Sequence, residues 1–98
     1  MSDPAVSNLI LRQLGGNPFL AMTGARDLVY DDRSLTMRLT KAKNGICYIK
    51  VALTDADLYE LKGFGKDGNE IPGAILDDIA NFGLAAAFEA LTGLRTML

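Results

Sequence analysis

The chain has no histidine and no tryptophan, and its one cysteine is Cys47. Without histidine there can be no Ser–His–Asp triad, no imidazole general base and no ordinary zinc site. A lone cysteine cannot close an intramolecular disulfide, which suits a reducing cytoplasm. Long apolar runs are missing as well. The best stretch, "GLAAAFEAL", is interrupted by Glu89 and falls well short of a bilayer, so no membrane partner is expected. The opening "MSDPAVSNLI" lacks the basic segment and apolar run of a leader peptide. Acids are absent from Arg33 to Leu53, where five cations fall: Arg33, Arg38, Lys41, Lys43 and Lys50. The rest of the chain holds all twelve acids, so a net charge of −2 conceals a basic segment.

Of the 98 residues, 49% are apolar, which suits one folded domain over residues 1–98 with a modest core. Asp3-Pro4 reads as an N-cap followed by proline at the first helical position. Val6, Leu9, Ile10 and Leu14 then share a helical face, and Gly15 ends the helix, with Pro18 preventing its resumption. In "QLGGNPFLAMTGA" the glycines therefore follow a helix. A phosphate cradle needs them before one, where free N–H groups meet the anion.

"FLAMTG" reads as a first strand, "DLVYDD" as a second, and Asp31-Asp32-Arg33-Ser34 as a turn. "SLTMRLT" and "ICYIKVAL" alternate cleanly and form a hairpin. A three-residue Lys43-Asn44-Gly45 loop brings their apolar faces together by pairing Leu39 with Ile49, Met37 with Val51 and Leu35 with Leu53. Arg38 then lies opposite Lys50, and Thr40 opposite Tyr48. "TDADLYELKGFG" fits either a helix capped at Thr54 or a strand "LYELKGF". "KDGNE" is a turn. Pro72 opens a last helix running to about Thr92, with Gly93 at its end and Leu94 folding back on Phe88. Its two apolar stripes, one through Ile75, Ile79, Phe82 and Ala86 and one through Leu84, Phe88 and Leu91, exceed what one sheet face needs. "MTGA" and "LTGL" read as a chance echo.

Several candidate sites have plain structural explanations. "GFGKDG" fits G-x-G-x-x-G, but that motif carries weight only between a strand and a helix of a βαβ unit, and none is evident. Asp31-Asp32, Asp55 with Asp57, and Asp77-Asp78 show no full ligand set for a divalent ion. Cys47 lies on the apolar parity of its strand and reads as a buried structural residue. No cofactor is expected. The polar face of the hairpin is the strongest candidate: Arg38, Thr40, Lys41, Lys43, Tyr48 and Lys50 combine cations, a hydroxyl and a ring suited to an anion, a nucleotide or a nucleic-acid backbone. The plain alternative is a solvated charged face. Leu84, Phe88 and Leu91 are candidates for an oligomer interface.

The pieces "LGGN.F..MTGA" (14–25), "SL.M.L" (34–39), "KNGI.Y.K..L" (43–53) and "LTGLRTML" (91–98) give the sequence a further likeness. It resembles a family of small uncharacterised proteins of tailed phages and prophages, departing between Gly63 and Ala74. The resemblance implies a host bacterial cytoplasm and supplies no catalytic residues. The expectation is an α+β fold: an N-terminal helix, an antiparallel β-meander of four to five strands, and a long C-terminal helix packed on one face. The expected function is that of a non-enzymatic phage accessory protein, a homo-oligomer that binds a host or phage macromolecule and in one role counters host defence. The alternative is a nucleic-acid or nucleotide-binding module using the basic 33–53 hairpin.

Overall fold

A computed structural model describes residues 5–40, 42–43, 45–94 and 96. Among these, the order is α1 (Ala5–Leu14), α2 (Asn17–Thr23), β1 (Arg26–Tyr30), β2 (Ser34–Arg38), β3 (Tyr48–Leu53), β4 (Tyr59–Phe64), β5 (Glu70–Ile79), a 3-10 turn (Asn81–Gly83) and α3 (Leu84–Thr92). The five strands form one antiparallel meander in the order β1-β2-β3-β4-β5. The α+β architecture is thus the one expected, with an N-terminal helix, an antiparallel sheet and a C-terminal helix packed against it. The expected N-cap at Asp3-Pro4 lies outside the described residues.

Alternation dictates the sheet's two sides. Leu35, Met37, Ile49, Val51, Tyr59 and Leu61 are buried on one side. Against them pack Ile10 and Leu14 of α1, Phe19 of α2, and Leu84, Phe88 and Leu91 of α3. Leu9, expected on the inward face of α1, is exposed, because the helix turns Ser7, Ile10 and Leu14 inward instead. Phe19 and Phe88 meet edge to face, with ring centroids 4.9 Å apart, a geometry favoured by the ring quadrupoles.

"FLAMTG" is a helix, not a strand. Gly16 precedes α2 with φ 67°, a left-handed conformation that costs glycine little, and Pro18 occupies the first turn. The proline therefore starts a second helix where it was expected only to stop the first. The echo of "MTGA" and "LTGL" is structural. The Thr23 hydroxyl donates to the Phe19 carbonyl at 2.8 Å and accepts the Ala25 N–H at 3.2 Å. The Thr92 hydroxyl donates to the Phe88 carbonyl at 2.8 Å and accepts the Leu94 N–H at 3.2 Å. Gly24 and Gly93 follow with φ 69° and 75°, so α2 and α3 end in the same device.

The last helix is shorter than expected, since residues 70–79 form β5. Ile75 and Ile79 fit a helical stripe by spacing, yet the segment is an edge strand whose alternation is broken by bulges. Phe64 pairs with Glu70 and Lys62 with Ile75, leaving residues 71–74 opposite Gly63 alone. Pro72 sits in that bulge, where a missing N–H breaks no ladder, and Gly73 takes φ 83°. Asp78, at the second irregularity, and Asp27, at the bulge of β1, both take φ 54°. Short polar side chains tolerate that region best. "LYELKGF" takes the strand alternative as β4, and Lys66-Asp67-Gly68-Asn69 is the β4–β5 turn. There the Asp67 carboxylate accepts the Asn69 N–H and side-chain amide, each at 3.1 Å. These bonds hold its carboxyl below the ordinary range. The G-x-G-x-x-G match therefore joins two antiparallel strands.

Candidate functional site

The helices cover one side of the sheet, and the other side carries the polar parity. The register builds rows across it. Arg38, Tyr48, Phe64 and Glu70 form one row, and Thr36, Lys50, Lys62 and Ile75 the next. Tyr48 and Phe64, on neighbouring central strands, are direct cross-strand partners, and both are half-buried. A shallow cleft of about 310 Å³ lies beside them, lined by Thr36, Tyr48, Lys50, Phe64 and Gly68. A second, of about 470 Å³, reaches from the other side of Tyr48 past Arg38, Thr40 and Cys47 to Lys66.

The β2–β3 register differs from the expected one by two residues. Arg38 faces Tyr48 and Thr36 faces Lys50, so the expected Arg38–Lys50 and Thr40–Tyr48 pairs do not form. The parity survives, but the connection is longer. The Leu39 N–H donates to the Cys47 carbonyl at 2.8 Å, which leaves residues 40–46 outside the ladder. Ile46 explains this: its side chain is buried in the core, so it cannot continue the strand as a half-exposed residue. The Lys43 N–H donates to the Thr92 carbonyl at 2.8 Å, anchoring the loop to the end of α3.

The expected cationic set therefore divides. Arg38, Thr40, Tyr48 and Lys50 line the two clefts. Lys43 belongs to the end of α3, where its side chain lies against Gly93. Lys41 lies outside the described residues. Phe64 and Lys62 complete the face and were not expected, because their segment read equally well as a helix. Cys47 is half-buried at the cleft wall and less enclosed than expected. Leu84, Phe88 and Leu91 are buried inside this chain and are not available to another. Among the described residues the exposed large apolar ones are instead Leu28, Val29 and Tyr30 on β1, Ile75 on β5, Leu9, and Phe82, which is 91% exposed.

Charge on this face is partly compensated. Arg38 lies 3.9 Å from Asp27. Lys62 sits between Glu60 at 3.4 Å and Glu70 at 3.5 Å, whose carboxylates, Glu60 foremost, raise its pKa. Lys50 stands opposite Lys62 with no ion pair within 4 Å among the described residues. Its charge adds a minor attraction to Asp31. That carboxyl is lowered mainly by accepting the Arg33 N–H at 2.9 Å and by its bond with Ser34. At the sheet's end the Arg33 guanidinium donates to the Leu53 and Thr54 carbonyls at 3.0 and 2.9 Å, fixing the β3–β4 turn. Among the described residues, no three of Cys, Asp and Glu stand close enough to hold a metal ion. No helix there is long and apolar enough to cross a membrane. In comparisons with known proteins, no family model, curated protein or solved structure matches this chain.

Proposed function

We propose that this chain is a binding protein rather than an enzyme, and that its macromolecular partner meets the open sheet face around Tyr48 and Phe64. The observation that carries this is a cross-strand pair of half-buried aromatic residues on the uncovered side of two central strands, bordered by Arg38 and Lys50. Rings in such a place offer large contact area at low entropic cost. The phage resemblance supplies the setting: an accessory protein in the host cytoplasm, with a role against host defence among its uses. The test is a pull-down from phage-infected cells with the wild type, Tyr48→Glu/Lys50→Glu, and Asn8→Glu on the exposed side of α1. A partner held by the wild type and Asn8→Glu but lost by the face variant supports the proposal. Equal capture by all three sinks it.

The alternative partner, a single-stranded nucleic acid or nucleotide, is favoured by the same aromatic residues and by Lys50, which has no ion pair within 4 Å among the described residues. Bases stack on ring faces for about 1–3 kcal/mol each, and cations beside them take the phosphates. Expected is anisotropy-detected binding of a labelled oligonucleotide that weakens with salt, and weakens further in Tyr48→Ala and Lys50→Glu. Affinity unchanged by both substitutions removes nucleic acid as the ligand of this face.

A further inference from the structure

We infer that β1 is a self-pairing edge, through which two copies of the chain join by antiparallel β1–β1 contact with Val29 on the two-fold axis. This is independent of the open-face proposal. The two edges of the sheet differ in kind. β5 carries Pro72, two bulges and the acids Asp77 and Asp78, which are devices that stop strands from adding to an edge. β1 has one bulge, at Asp27, but no proline, and all five of its residues are exposed. Leu28, Val29 and Tyr30 are 39%, 64% and 46% exposed, and no lysine or proline guards them.

The pairing geometry selects the occupant. The Asp31 N–H donates to the Ser34 carbonyl at 3.1 Å, and Val29 stands opposite Thr36. Antiparallel ladders alternate, so Asp31 and Val29 bond toward β2 while Leu28 and Tyr30 turn their N–H and C=O outward. Outward groups must meet outward groups. Around a two-fold axis this sets Leu28 of one copy against Tyr30 of the other, twice over, and Val29 against Val29. Apolar residues then meet only apolar residues, as an isologous contact requires. The bulge between Arg26 and Val29 ends the regular ladder there, so the self-pairing stretch is Leu28 to Tyr30. Asp27 is turned out of the ladder at φ 54° and is engaged by Arg38.

So short an edge buries little area, and a dissociation constant of about 10–100 μM is expected. Sedimentation equilibrium of the wild type should show a reversible dimer. Val29→Lys sets two like charges across the axis and should weaken it about tenfold or more. Ile75→Lys, on the other edge, should leave it intact. Val29 is largely exposed, so its variant should keep the wild-type urea midpoint. A second readout fixes the geometry. In a Cys47→Ser background, Val29→Cys places two thiols at a non-hydrogen-bonded pair with Cα atoms about 4.5 Å apart, within disulfide reach. Mild oxidation should give a covalent dimer from this variant and not from Ile75→Cys in the same background. A wild type still monomeric at about 1 mM overturns the inference. So does a dimer unaffected by Val29→Lys, or one that Val29→Cys fails to cross-link. A foreign strand on the same edge would show as hetero-complex formation by a monomeric chain, and that outcome counts against self-pairing.

Discussion

Gly63→Ala should destabilise the protein, although general expectation has the opposite sign. Gly63 lies in β4 between two paired strands, and its φ is not positive, so alanine meets no backbone strain there. Replacing glycine by alanine at a compatible position ordinarily stabilises by about 0.4–1 kcal/mol, through the unfolded state. Here an added Cβ would stand 2.9 Å from Ile46 Cγ1, 3.0 Å from Ile46 Cδ1 and 3.0 Å from the Ala74 Cβ. None of the three moves freely. Ile46 is buried, and Ala74 is set over Gly63 by the bulge of β5. Overpacking a closed core costs about 1–3 kcal/mol, which set against the entropic gain leaves a net loss of up to about 2.5 kcal/mol. For a domain of this size each kcal/mol lost lowers Tm by about 4–8 °C. Urea denaturation followed by far-ultraviolet circular dichroism measures it. The double variant Gly63→Ala/Ile46→Ala should be less damaged than the two single changes add up to, by about 0.5 kcal/mol or more, because the new methyl fills part of the space that Ile46 leaves. A higher midpoint for Gly63→Ala, or strict additivity, would refute the packing argument.

Thr92→Val keeps the shape but removes a buried hydroxyl that both donates and accepts; a loss of about 1–2 kcal/mol in urea titration is expected, and Thr23→Val should behave alike. Arg33→Lys should cost about 0.5–1.5 kcal/mol, since an ammonium cannot span the Leu53 and Thr54 carbonyls as the guanidinium does; no change in the urea midpoint would argue against that clamp. Asp31 has a folded pKa below 3.8, so its contribution is present above that value and is lost as pH falls through the lower folded pKa. Asp31→Asn should therefore flatten the acid limb of the stability–pH curve below about pH 4 and leave its alkaline limb unchanged. An acid limb as steep as the wild type's would contradict this.

The sequence was most legible where one period dominated. The alternation in "SLTMR" and "YIKVAL" assigned each side chain of β2 and β3 to its proper face, and with it Arg38, Tyr48 and Lys50 to the open side. Register escaped by two residues, because parity constrains only odd shifts and the burial of Ile46 lengthened the loop. β5 was illegible because its bulges destroy period 2, while the chance spacing of Ile75 and Ile79 imitates a helix. "NPFLAMTG" misled in the converse way, being too short for a helical period to show. Phe64 and Lys62 stayed hidden for want of an assigned strand. The interface role given to Leu84, Phe88 and Leu91 failed because a shorter α3 commits them to this chain's own core.

The meeting of Phe19 with Phe88 has a consequence for the order in which the molecule assembles. The meander is made of neighbouring hairpins, whose contacts are local and close quickly. Phe19 belongs to a segment synthesised before any strand, yet its ring partner emerges only after all five. During translation α1 can settle on β2 as soon as the first strands form, but the Phe19 ring lacks its aromatic partner until residue 88 has been made. The vulnerable interval is then the passage of β5 and α3 from the ribosome, when exposed apolar surface favours misassembly. Matched Thr-Gly endings on α2 and α3 suit that lag: each sets its helix boundary through bonds local in sequence, so neither must await the other to know where to stop.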